Sequence, residues 1–195
     1  MIKLVQPQIE ELKYRKKLLK DPQTMAFNKN NGGTVDFNEK IWQPWYALWM
    51  NDAKYYYAYI YDDILKKYIG EVSYYFEEEY REYVLNIIVE AKYRHLGKGK
   101  EALELLCQQA KENGLRFLCD DIETNNPAKN LFLDLGFKEV WARENITMLK
   151  KTSLEPFWFF FSQDLHISFI YLNKGRVKSY EKKVRHVFDL SYLYF

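Results

Sequence analysis

The feature that most constrains this chain is the passage from an apolar run, Ile87-Ile88-Val89, through Arg94-x-x-Gly97-x-Gly99 into a segment with helical periodicity. Glycines let a backbone approach a ligand closely, and the start of a helix presents N–H donors that lack intrahelical partners and carry a partial positive charge. Arg94, Lys98 and Lys100 add formal charge. The passage predicts a strand, an anion-binding loop and a helix in that order, and a diphosphate is a ligand that suits it.

Two other phosphate motifs compete for the same residues. A P-loop needs four residues between its glycines and a Ser or Thr after its lysine, whereas Glu101 follows Lys100. The run Gly97-Lys98-Gly99-Lys100-Glu101-Ala102 does satisfy the dinucleotide pattern G-x-G-x-x-A, with Asp120 or Asp121 about twenty residues on. That fold, however, feeds its strand almost directly into the first glycine and opens its first βαβ unit there. Here the charged stretch 90–96 intervenes, and three β-prone runs come first.

Those runs are residues 55–61, 68–76 and 82–90, joined by short polar turns, and they predict an antiparallel meander. Ahead of them, residues 2–5 predict a short strand and the charged segment from Pro7 to Lys20 a helix ended by Asp21-Pro22. After a turn-rich loop at 28–33, Asp36 and Glu39 have the spacing of a capping box for a helix carrying Trp42, Trp45, Leu48 and Trp49. Beyond the loop, residues 100–113 place Ala102, Leu103, Leu106, Cys107 and Ala110 at helical intervals, and Gly114 ends that helix. A buried strand at 115–122, a short helix capped by Asn126 and closed by Gly136, and a hairpin from 137–142 and 146–150 complete the pattern.

With these elements in place, residues 89–103 resemble the signature of the GCN5-related N-acetyltransferase (GNAT) family: a strand ending in Val, then Arg or Gln-x-x-Gly-x-Gly or Ala at a helix start. Ala91 stands where proline is common. Asn125-Asn126-Pro127-Ala128, followed by Leu131-Phe132 and Leu135-Gly136-Phe137, resembles the family's Asn-x-x-Ala block and its closing Gly-Phe. The resemblance implies an α/β fold of the α+β kind, a mixed and mostly antiparallel sheet with helices on both faces. That domain would span 1–151, with an aromatic-rich C-terminal extension over 152–195. The implied activity is transfer of an acetyl group from acetyl-CoA to a primary amine of a small molecule or peptide. The alternative is a non-catalytic acyl-CoA-binding or protein-interaction module of the same fold.

Carried over residue by residue, the resemblance implies that backbone groups around Ile88 and Val89 pair with the pantetheine arm of coenzyme A. Arg94, His95, Leu96, Gly97, Lys98, Gly99 and Lys100 would wrap the pyrophosphate, and Asn125, Lys129 and Phe132 would flank the cofactor's other side. A β-bulge is expected in the strand ending at Val89. His95 is expected to be a solvent-facing spacer within the loop rather than a catalyst.

Acyl transfer to an amine needs a neutral nucleophile, so a base must take its proton, and the departing thiolate needs a proton returned or tolerated. Many family members use a tyrosine as the acid, and the matching position here is Phe132. Either the thiolate leaves unassisted or through water, which is the favoured expectation, or Tyr74 or Tyr93 reaches in, or the domain no longer catalyses. Asp120 occupies the position where some relatives carry a glutamate and is the first candidate for the base, with a strand-end cap or salt bridge as its structural alternative. Glu71, on the central strand after Gly70, is the second, and could instead bind a cationic substrate. Glu77-Glu78-Glu79 is expected to be a solvated turn.

Composition narrows the partners. A net charge of +2 from nearly balanced acids and bases lacks the broad positive field of a nucleic-acid binder. Cys107 and Cys119 show no metal-ligand spacing with the three histidines, so buried thiols and no metal are expected. The first seventeen residues lack a long apolar core, and the run Phe157-Trp158-Phe159-Phe160-Phe161 is too short to cross a bilayer, so a cytoplasmic protein without membrane contact is expected. The extension should pack on the body or form a homodimer through a second copy, with a hairpin from 165–172 and 177–180 and a helix at 182–190.

Overall fold

The computed structural model describes residues 1–28 and 33–152. The interior of the 28–33 loop and the expected packing, hairpin, helix and dimer contact of the extension lie outside the described residues. No described helix is long and apolar enough to cross a membrane.

Among the described residues seven strands form one sheet in the order β1-β2-β3-β4-β5-β7-β6. The expected meander is present as β2 (Tyr55–Asp62), β3 (Lys67–Glu77) and β4 (Glu82–Val89), with β1 (Ile2–Val5) added antiparallel to β2. The second half, β5 (Leu118–Glu123), β6 (Lys138–Arg143) and β7 (Ile146–Lys151), joins it through the parallel contact of β4 with β5. Helices α1 (Leu12–Lys20) and α2 (Trp42–Asn51) lie on one face, and α3 (Lys98–Glu112) and α4 (Ala128–Asp134) on the other.

Side-chain alternation explains how one sheet carries two cores. Leu85 of β4, Leu118 of β5 and Leu149 of β7 meet Leu103, Leu106 and Ala110, the apolar stripe that made α3 legible. Tyr57, Tyr59 and Ile88 face the other way, against Leu12, Leu18 and Leu19 of α1 and Trp45 of α2. Each such fully buried leucine contributes roughly 1.5–3 kcal/mol of transfer free energy.

Within the α1–α2 side sits a buried polar lock. The Glu71 carboxylate is ion-paired with Arg15 and accepts a hydrogen bond from the Tyr57 hydroxyl at 2.5 Å. The Arg15 guanidinium lies 4.7 Å from the Trp45 ring centre and 5.1 Å from that of Phe37. Burial opposes the Arg15 charge, but Glu71 and Tyr57 outweigh it and the guanidinium pKa is raised. Burial, with Glu71 adding to it, pushes the Tyr57 phenol well above its ordinary value.

Four local expectations need correction. The bulge expected in the strand ending at Val89 is absent there: β4 pairs with β3 without a slip, and the irregularity falls in β3, where Ile60 pairs with Gly70 but Tyr61 with Tyr68. The cap before α2 is Asn38, whose side chain accepts from the Lys40 N–H at 3.0 Å, because Asp36 and Glu39 are drawn to Lys20 and Lys16 of α1. Helix α3 begins at Lys98, two residues earlier than its apolar periodicity implied, because Gly97 turns the chain into it. Strand β5 begins at Leu118, later than the start of its apolar run.

Candidate functional site

Strands β4 and β5 share one registered pair, Val84 with Cys119, and diverge beyond it. A cleft of about 490 Å³ opens between them. It extends from Val84 to the start of α3, lined on the way by Ile87, Ile88 and Val89 and at its end by Arg94, His95, Gly97, Gly99 and Lys100. Because β4 lacks registered pairing along this edge, backbone groups there can serve a ligand instead of a neighbouring strand.

The loop's shape follows from its sequence. After the short helical turn Ala91–Tyr93, His95 takes φ 61° and Gly97 φ 74°, and together they reverse the chain into α3. A β-carbon on Gly97 would meet nothing within 4 Å, so glycine serves the left-handed backbone there. Gly99 differs. It is helical, and a β-carbon would find only ordinary contacts, with Leu131 at 3.6 Å and Val89 at 3.7 Å. The fold alone would accept alanine and gain about 1 kcal/mol of helix propensity from it. Glycine instead leaves the first helical turn uncovered toward the cleft. The first helical bond runs from the Glu101 N–H to the Gly97 carbonyl at 3.2 Å, so the preceding N–H groups of that turn remain available to an anion.

The charged side chains of the loop divide their work. Arg94 donates to the Val89 carbonyl at 3.2 Å, to the Gln23 carbonyl at 3.3 Å and to the Thr24 carbonyl, and partial burial lowers its pKa. Its guanidinium thus ties the loop to the segment after α1. The Thr24 hydroxyl oxygen accepts the Ala91 N–H at 3.1 Å, a second tie between the same two segments. Lys98 reaches sideways to Asp62 at 2.9 Å, and this bond holds the Asp62 carboxyl at about 2. Lys100 lines the cleft, whereas Leu96 is 61% exposed and does not.

On the other wall, Phe132 is buried and packs edge-on against Phe137 with ring centres 5.1 Å apart. Asn125 is exposed and outside the lining, and Lys129 pairs with Glu139 at 2.8 Å. The neighbour of Asn125, Asn126, does line the cleft, and its side-chain oxygen accepts the Ala128 N–H at 2.9 Å. Asp120 also lines the cleft, and Asp121 does so beside it. Glu71 does not; its carboxylate is spent on Arg15 and Tyr57 behind the sheet.

Neither tyrosine considered from the sequence reaches the cleft. The Tyr74 hydroxyl accepts from Asn113 on the α3 side, and Tyr93 is not part of the lining. Tyr75, not singled out from sequence, does line it, as do Thr24, Met25, Phe27 and Asn28. The apolar alternation of β3 could have separated Tyr75 from Tyr74; no local signal marked the 24–28 segment. Among the described residues no group of three or more His, Cys, Asp or Glu is placed to hold a metal.

The sequence profile of the acetyltransferase (GNAT) family matches residues 18–137. No curated protein sequence matches the chain significantly. Among solved structures, spermidine N-acetyltransferase from Vibrio cholerae, in complex with CoA and spermine, superposes with a TM-score of 0.64 at 15% identity, covering 78% of this chain and 95% of its own. Ribosomal-protein-alanine N-acetyltransferase from Brucella melitensis gives 0.59 at 18% identity, covering 78% and 99%. A Salmonella typhimurium protein solved with its cofactor acetyl-CoA gives 0.61 at 14% identity, covering 77% and 93%. At these identities the likeness is one of fold.

Proposed function

The chain belongs to the acetyltransferase (GNAT) family, and from that premise we propose that it is an acetyl-CoA-dependent N-acetyltransferase acting on a primary amine of a small molecule or peptide. The observation that carries this is the open β4–β5 edge ending at the uncovered first turn of α3. The backbone of residues 85–89 would pair with the amides of the pantetheine arm. The free N–H groups of α3, with Lys100, would hold the pyrophosphate. Bound there, acetyl-CoA supplies a thioester: the amine nitrogen forms a bond to its carbonyl carbon, the C–S bond breaks, and the amine gives up a proton.

The chain's own part is to orient and to manage charge. Asp120, in the cleft lining, remains a candidate for taking that proton. Glu71 is assigned the structural role its pairing with Arg15 supports. Phe132 offers no proton, so the thiolate is protonated by water. That same phenylalanine favours a second reading, an acyl-CoA-binding module without transfer.

Calorimetry with acetyl-CoA, followed by thiol release on a panel of primary amines, tests both. Binding with turnover is the expected result. Binding without turnover on any amine would select the second reading, and absence of binding would remove both.

A further inference from the structure

On the sheet face that carries α1 and α2, helix cover stops halfway. Side chains of the two helices pack over β2 and β3 and reach β4 at Ile88. Beyond it, Val84 of β4, Cys119 of β5 and Met148 of β7 form a separate apolar cluster with Tyr75, Tyr80 and Trp141, and among the described residues no helix contributes to it. A sheet face left to water alternates to polar side chains. This one is apolar, and its three large rings are only partly buried.

The cluster borders a groove of about 420 Å³ that shares no described lining residue with the β4–β5 cleft. Tyr80 and Trp141, edge-on with ring centres 6.5 Å apart, line it together with Cys119 and Met148, and Val140, 56% exposed, stands at its rim. Glu82 lines it too. One of its carboxylate oxygens accepts from Lys150 at 2.6 Å, while Oε2 is buried and meets no hydrogen-bond donor among the described residues. A buried carboxylate oxygen without a donor is costly, so the occupant that suits this groove is apolar and brings N–H groups.

This chain carries such a segment close by. Strand β7 ends at Lys151, and Lys150 lines the groove. The run Phe157-Trp158-Phe159-Phe160-Phe161 begins five residues after Thr152. Five residues reach about 17 Å when extended, and the four strands from β4 to β6 span about 14 Å, so the run can meet any part of the groove. So short a tether gives it an effective concentration on the order of millimolar, ahead of the same run on another chain. The run has no charged side chain, and Trp158 adds an indole N–H to its backbone donors.

We infer that residues 157–161 occupy this groove, so that the C-terminal extension completes the sheet face that α1 and α2 cover only in part. A chain that bound no acetyl-CoA would still have this seat.

The test is a nitroxide attached to Ser162→Cys in the full chain and read by amide NMR; the native thiols of Cys107 and Cys119 are buried and shielded from the label. The amides of Cys119, Trp141 and Met148 should lose at least about half of their intensity relative to the reduced label, and those of Gln108 and Lys111 on the outside of α3 should keep theirs. Adding Val140→Asp, a change at an exposed position that leaves the fold intact, should restore much of the lost intensity. No broadening at the three amides, broadening centred on α3 or on α1 and α2, or broadening unchanged by Val140→Asp would each overturn the assignment. Broadening that disappears when the labelled chain is diluted into excess wild-type chain would overturn it in favour of the run from a second copy.

Discussion

Between β3 and β4 the sheet is closed by eight registered pairs, from Gly70 with Val89 to Glu77 with Glu82; between β4 and β5 a single pair, Val84 with Cys119, joins the strands. The two seams share β4, so the same strand is locked along one edge and open along the other. On the closed side the ladder satisfies the backbone, and Gly70 removes the side chain that would collide there. On the open side β4 beyond Val84 has no registered strand partner, and the first turn of α3 presents N–H groups that the helix itself does not use. Stability is concentrated at one seam, and binding capacity at the other.

Mutations sharpen this contrast by moving one property without the other. The largest effect is expected from Arg15→Met, which strands the Glu71 carboxylate in the aromatic layer behind the closed seam. Removing one partner of a buried pair costs about 3–5 kcal/mol, measurable by urea unfolding. The folded fraction should keep its coenzyme A affinity, and a parallel loss of affinity would break the division between the seams. Gly70→Ala comes next. Its β-carbon would sit 2.2 Å from the Ile88 carbonyl oxygen, and overpacking against backbone should cost roughly 3 kcal/mol in the same assay.

At the open seam the expectation reverses. Gly99→Leu adds a better helix former and fills the cleft beside Leu131 and Val89, so the melting temperature should hold while coenzyme A affinity falls at least about tenfold, near 1.4 kcal/mol. A melting temperature that falls with the affinity would mean that Gly99 serves the fold after all. The smallest effect concerns Asp62, which Lys98 holds at about 2, below its ordinary value. A depressed carboxylate adds stability above its unfolded pKa and loses it as pH falls through the folded one. Asp62→Asn should therefore flatten the decline of the melting temperature between about pH 4 and pH 2.

Much of the closed seam was legible in the sequence, because alternating tyrosines and short polar turns are local signals. The loop from Arg94 to Gly99 was legible for the same reason. What escaped depended on facing and on distance along the chain. An apolar run from Leu115 does not reveal that pairing starts at Leu118, and an uncertain strand start leaves open which of Asp120 and Asp121 faces which side. Asn125, implied for the cofactor by the resemblance, is exposed outside the cleft lining, and only the folded chain shows that its neighbour Asn126 faces the cleft. Glu71 was a candidate base or cation binder by its place on the central strand after Gly70, but in the fold its carboxylate has a distant partner. That partner, Arg15, lies 56 positions away on α1. Arg94 was read as a phosphate ligand, yet its side chain holds carbonyls of a segment about seventy residues earlier, a pairing only tertiary structure can create.

The most direct test of the division between the seams is a coenzyme A titration followed by amide NMR. Saturable shifts should concentrate on residues 84–100 and 126–128, with the amides around Tyr57 and Glu71 unmoved. No saturable shift, or shifts centred on the β2–β3 half of the sheet, would contradict the assignment of the open seam as the cofactor site.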